Sequence, residues 1–148
     1  MKLQQLVAAL DTIAPYRYAE PWDNVGLLVG DGAAEVTRAL VTIDCTEAVF
    51  EEALEQRCEL IVAYHPVIFE GLKRLHARSL AFRAIRAGVA LLCPHTAWDM
   101  ASGGTNDVLG DIVGMTARAP LRITRPDEGV GLGRVGEVAP VERPALLA

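Results

Sequence analysis

Two short stretches hold residues able to do chemistry together. Ile61–Phe69 reads IVAYHPVIF and Cys93–Asp99 reads CPHTAWD, so His65, His95 and Asp99 follow closely on apolar runs. Imidazole nitrogen and carboxylate oxygen are the usual protein donors for zinc, iron or manganese in a hydrolytic site, where the metal lowers the pKa of a bound water. His95 is also a candidate catalytic proton carrier. A histidine at a strand end serves equally well as a hydrogen-bonded loop anchor, and H-x-x-x-D recurs by chance. Spacing leaves both readings open. Other residues carry the same ambiguity. Lys73, Arg74, Arg78, Arg83 and Arg86 can grip a phosphate or form a charged helix face. The run Gly103-Gly104-Thr105-Asn106-Asp107 can offer backbone N–H groups to an anion or form a capped turn. Trp22-Asp23-Asn24 reads as a turn, Trp22 and Trp98 as packing residues, His76 as solvated and Cys93 as core.

The elements that must position these residues follow from periodicity. Leu3, Leu6, Val7, Leu10 and Ile13 have helical spacing, ended by Pro15. VGLLVG (25–30) and RALVTID (38–44) read as two strands joined by a short connection and paired antiparallel. A helix is expected from Thr46, with its glutamates largely opposite an apolar side. ELIVAY (59–64) and VALLC (89–93) are buried-strand runs on either side of a helical segment, SLAFRAIRAG (79–88), stopped by glycine. Strands joined by a helical crossover run parallel, so their C-terminal ends share one sheet edge, where open α/β sheets bind ligands. That puts His65, His95 and Asp99 on one edge, one or two strand spacings apart, roughly 5–10 Å. Pro66 holds His65 extended. Thr105 is expected to cap a last helix over NDVLGDIV, ended by Gly114, with two short strands, ARAPLRI and GRVGEV, beyond it.

Composition excludes whole classes of function. The chain has 148 residues, 51% of them hydrophobic, a net charge of -5 and a pI near 5.2. That is one globular domain with no electrostatic footprint for nucleic acid or an anionic membrane. Cys45, Cys58 and Cys93 form no C-x-x-C pair and suit a reducing, cytoplasmic setting. No run has signal-peptide or membrane-spanning length. Residues 1–138 are expected to form one α/β metal-binding unit. Residues 139–148 read as an Ala/Pro-rich tail, poorly ordered or truncated.

WDNVGLLVG (22–30), AYHPVIF (63–69), PHTAWDMASGGTND (94–107) and GLGRVGEV (131–138) together resemble the motifs of the GTP cyclohydrolase 1 type 2 homologues, in order along residues 1–138. The resemblance implies a layered α/β fold of two intertwined repeats. Each repeat is a helix, a strand and three strand-helix units on a mixed sheet, and this chain is similar to the first. It further implies a toroid-forming homohexamer with a dinuclear metal centre and, for some members, conversion of GTP to a formylated pterin precursor. Carried onto this sequence, it makes His65 and Asp99 metal ligands and sets His95 in or just behind them. Many members have two successive histidines where this chain has Tyr64-His65, which removes one donor from one of two divalent ions, be they zinc, iron or manganese.

The resemblance also implies a histidine and a glutamate four residues later from a second repeat. Histidines 65, 76 and 95 do not fill that place. The expectation is a fragment, or a half-length relative whose site needs a companion chain or further copies of itself. Two functions stay open. One is a metal-dependent hydrolase acting on a small, nucleotide-like substrate. The other is a non-catalytic, metal-binding, ring-forming protein.

Overall fold

The computed structural model describes residues 1–140, so the expectation for the tail falls largely outside the described residues. The chain opens with α1 (Leu3–Ile13), a short 3-10 turn (Tyr16–Tyr18), β1 (Gly26–Val29) and β2 (Ala39–Thr42). Three further segments follow: α2 (Glu47–Glu55) with β3 (Leu60–Ala63), α3 (Leu80–Ala87) with β4 (Ala90–Cys93), and then α4 (His95–Met100) with α5 (Thr105–Ile112). The order is thus helix, strand, then three strand-helix units, as expected. A hairpin of β5 (Thr116–Arg125) and β6 (Val130–Glu137) completes the described chain.

The main sheet has the order β1-β4-β3-β2, with β2, β3 and β4 parallel and β1 antiparallel to β4. Alternation along the strands divides the core in two. Leu60, Ala90 and Leu92 pack beneath α1 with Leu3, Leu6, Val7 and Leu10. On the other face Ile61, Ala63 and Leu91 pack against Phe50 and Ala53 of α2 and Ala81 and Ala84 of α3. Both β3 and β4 are covered on both faces, hence their unbroken apolar sequence. The oxygens of Thr46 and Ser79 cap the N-termini of α2 and α3, and Gly88 ends α3 at a φ of +70°.

Two sequence expectations are corrected. β1 and β2 do not pair with each other but lie on opposite edges of the sheet. Residues 30–38 are too long for a tight hairpin, and they are held beneath α1. Val36 is buried there and donates its N–H to Met1 O. β1 instead pairs Gly26 with Cys93 and Leu27 with Leu92, so that Leu27 and Val29 each join a different half of the core. The cap of α5 is Gly104 rather than Thr105, which is the first helical residue.

The hairpin is joined to the domain chiefly through charge. Arg122 pairs with the buried carboxylate of Glu20, Arg134 with Asp107, and Glu128 with Arg17 at 2.7 Å. Apolar surface remains uncovered. Val108, Leu109 and Ile112 of α5 and Leu121 and Ile123 of β5 are exposed, as are Val41 of the edge strand β2 and Ile43 just beyond it. An apolar groove of about 350 Å³ runs from Val41 and Ile43 past Val62 and Trp98 to Tyr64. Among the described residues no helix is long and apolar enough to cross a membrane.

Candidate metal centre

Parallel pairing sets the site. The β2–β3 ladder continues past the strands, with Tyr64 N–H donating to Thr42 O at 2.9 Å and His65 N–H to Ile43 O at 3.0 Å. This fixes the backbone of His65 at the C-terminal edge of the sheet. β4 delivers His95 to the same edge, and the two imidazole centres are 5.7 Å apart, inclined at 75°. A ring bound to zinc at about 2.05 Å has its centre about 3.2 Å from the ion, so two imidazoles on one tetrahedral ion sit about 5.2 Å apart. The observed spacing is close to that.

Each imidazole is oriented by its own carboxylate. His65 Nδ1 donates to Asp44 at 2.7 Å and His95 Nδ1 donates to Asp23 at 2.8 Å. In this tautomer Nε2 carries the free lone pair, the arrangement by which outer carboxylates prepare histidine for a metal. The two pairs differ in setting. Asp44 and His65 are exposed, whereas the Asp23 side chain is fully shielded and that of His95 is 17% exposed. Burial works to raise the Asp23 pKa. Hydrogen bonds from the Thr96 hydroxyl, the His95 ring and the backbone N–H groups of Asn24 and Thr96 outweigh it and hold the carboxyl below its ordinary value. His95 itself has a φ of +29°, rarely adopted by a residue with a side chain, and the bonds to Asp23 on both sides of its carboxylate hold it there.

Asp99 lies four residues after His95, in the last turn of α4. Its Oδ1 accepts from the Tyr64 hydroxyl at 2.6 Å. Burial, then this bond, pushes the phenol well above its ordinary pKa, which keeps it a donor. Tyr64 therefore supplies no nitrogen and occupies a carboxylate lone pair as well. Among the described residues no three His, Cys, Asp or Glu side chains converge as a metal-holding group. Among the described residues the donor set fits a divalent ion in type and in the spacing of its imidazoles, and it is short of the donors such an ion takes.

The glycine-rich turn holds the corner beneath Asp99. Asn106 Nδ2 donates to Asp99 O at 2.9 Å, and Asp107 accepts from Gly103 N at 2.8 Å, which closes the turn. A Cβ on Gly104 would lie 1.8 Å from the Trp98 carbonyl oxygen, so the close turn excludes any side chain there. Cys93 is core: its thiol donates to Tyr64 O, and burial pushes it up to about 12. Of the basic residues, Arg83 pairs with Glu47 and Glu51 of α2, as a charged helix face would. A second crevice, about 430 Å³, lies at the opposite ends of β3 and β4 from the histidines.

Asp23 and Asp44 were not legible as site residues. Asp44 closes RALVTID, and a strand-end acid one strand from His65 was the available signal. In the sequence Asp23 reads as a turn residue, and only the antiparallel placement of β1 beside β4 brings it to His95.

The family model described as Duf34/NIF3 (NGG1p interacting factor 3) matches residues 1–147. Over 142 residues the chain is 37% identical to the GTP cyclohydrolase 1 type 2 homolog of Clostridium perfringens, covering 93% of this chain and 54% of that protein. Over 140 residues it is 42% identical to NIF3-like protein 1 of Drosophila melanogaster, covering 90% and 48%. The crystal structure of a Bacillus cereus protein related to NIF3 superposes with a TM-score of 0.79 at 29% identity, covering 84% of this chain and 36% of that one. The chain thus spans about half the length of these two curated relatives.

Proposed function

The chain belongs to the Duf34/NIF3 family, and on that premise we propose that its His65–His95 edge is part of a divalent-metal centre for hydrolysis of a nucleotide-like substrate. The reading is carried by two imidazoles 5.7 Å apart, each with Nδ1 engaged by a carboxylate. His65 and Asp99 would hold the ion, with His95 beside them. The nucleotide-like substrate is suggested by the name of the Clostridium perfringens relative. Donors from outside residues 1–140, on this polypeptide or on a partner, would complete the shell.

A bound divalent ion would supply Lewis acidity, polarising the substrate and lowering the pKa of a water. The chain's own residues do the rest. Asp44 keeps His65 in the tautomer that presents Nε2. Asp23, ionised and shielded, holds His95 by Nδ1 in the same way, so that Nε2 is the atom it would turn to the ion or use to pass a proton. Tyr64 steadies the Asp99 carboxylate. The test is competition against a chromophoric chelator with zinc and manganese. Weak binding abolished by His65→Ala is expected, and binding indifferent to both His65→Ala and Asp99→Ala would reject the site.

A second reading, a metal-binding assembly protein without catalysis, draws on one observation: no three donors converge among the described residues. The exposed apolar stripe of α5 suits such assembly, whether with further copies or with a companion chain. Formate release from GTP separates the two.

A further inference from the structure

Two large aromatic side chains stand exposed beside His95. Trp22 is 59% and Phe69 48% exposed, and their ring centres are 6.0 Å apart at 58°. Each also lies 6.4 Å from the His95 ring, nearly perpendicular to it at 75° and 86°. Exposed aromatics on a surface need no special account when they are scattered. These two are neither scattered nor loose. Asn24 Nδ2 donates to Ile68 O at 2.6 Å, tying the loop of Trp22 to the loop of Phe69. Asp23, next to Trp22, is bonded to His95 and Thr96. The chain therefore holds an apolar, partly solvated pair in register with the imidazole and leaves its outer surface uncovered.

We infer that Trp22 and Phe69 form an aromatic wall that receives the flat ring of a heteroaromatic ligand, an inference that rests on reading the His65–His95 edge as the working site. The wall is not a sandwich. Two stacking contacts of about 3.5–4.0 Å need parallel faces about 7 Å apart, and these rings are closer and tilted. A ligand ring instead lies on the outer face of Trp22 with its rim against Phe69, inheriting the steep angle that Trp22 makes with the His95 imidazole. The wall favours the flat ring over a phosphate because it carries no charge, and over a sugar because only a flat ring offers a second π-face to stack on it. Both residues act by positioning the ring and supply no metal donor themselves.

The probe is guanosine, with ribose 5-phosphate and inorganic triphosphate as ligands lacking a flat ring. Affinity is read by calorimetry and location by quenching of tryptophan fluorescence. Guanosine should bind and quench, and the other two should do neither. Trp22→Ala should weaken guanosine roughly ten-fold or more, Phe69→Ala by less, and Trp22→Phe should restore most of the affinity, since a π-face returns. Both side chains are exposed, so these changes leave the core intact, and zinc binding in the chelator assay should be unaltered. Guanosine affinity indifferent to Trp22→Ala, equal binding of ribose 5-phosphate, or no binding of guanosine at all would overturn the wall. If zinc is not held but guanosine binding still depends on Trp22, the metal reading fails and the wall stands. If zinc is held and guanosine ignores Trp22, the wall alone fails.

Discussion

The Tyr64 hydroxyl donates to Asp99 Oδ1 at 2.6 Å, across the gap between the end of β3 and the last turn of α4. A tyrosine here both withholds a nitrogen and draws on the oxygen that an ion would use. Tyr64→His should return a donor to the edge and release Asp99. Zinc affinity in the chelator competition is expected to rise at least about ten-fold, within the range by which a ligand or its partner alters metal binding. No change would place Asp99 away from the ion.

Asp44 offers a cleaner test of imidazole orientation than Asp23, because it is exposed and supports little else. Asp44→Asn leaves a hydrogen-bonding group of the same shape but removes the charge that makes His65 a stronger donor. Zinc affinity should fall about ten-fold with the melting temperature unchanged. Asp23→Asn, by contrast, should lower both, since its carboxylate accepts from His95, Thr96 and Asn24.

The Asp107–Arg134 pair gives a signed dependence on pH. The bond from Arg134 holds the Asp107 carboxyl below its ordinary value against a smaller effect of burial, and the Gly103 N–H adds to it. A depressed carboxyl contributes stability that is complete above its unfolded pKa of about 3.9 and is lost as pH falls through the folded value. Urea midpoints should therefore fall below about pH 4, and Asp107→Asn should lower the neutral-pH midpoint and flatten the fall. A variant profile parallel to that of the parent would remove this pair from the account.

Ile112 is 75% exposed on a stripe it shares with Val108 and Leu109. Such a patch drives association unless something covers it. Light scattering after size exclusion should show an assembly larger than one chain, reduced by Ile112→Glu or Leu121→Glu. A monomer at tens of micromolar, an ordinary assay concentration on the scale where mass action matters (roughly,), would mean that the stripe is not a contact.

In the proposed centre, catalysis needs a completed shell of donors. The 148-residue chain supplied with zinc, manganese or iron should release little or no formate from GTP. Activity gained on adding a polypeptide that supplies further metal donors should disappear with Asp99→Asn, while the complex still forms. Vigorous turnover by the chain alone, retained in Asp99→Asn, would reject the metal mechanism.

Much of this was determined by the sequence alone, because it depends on local order. Period-two and period-3.6 patterns place α1, α3, β3 and β4, and the helical crossover makes β3 and β4 parallel, which is enough to carry His65 and His95 to one edge. What tertiary structure decided is every relationship across the sheet. An apolar strand such as β1 is satisfied by any buried neighbour, so its sequence cannot say that β4, rather than β2, is its partner. Yet that choice alone brings Asp23 to His95 and Trp22 beside it. The same holds for Asp44 on His65 and for Tyr64 on Asp99: each joins residues 21 or more positions apart, and a hydrogen bond of that reach has no period in the sequence to announce it.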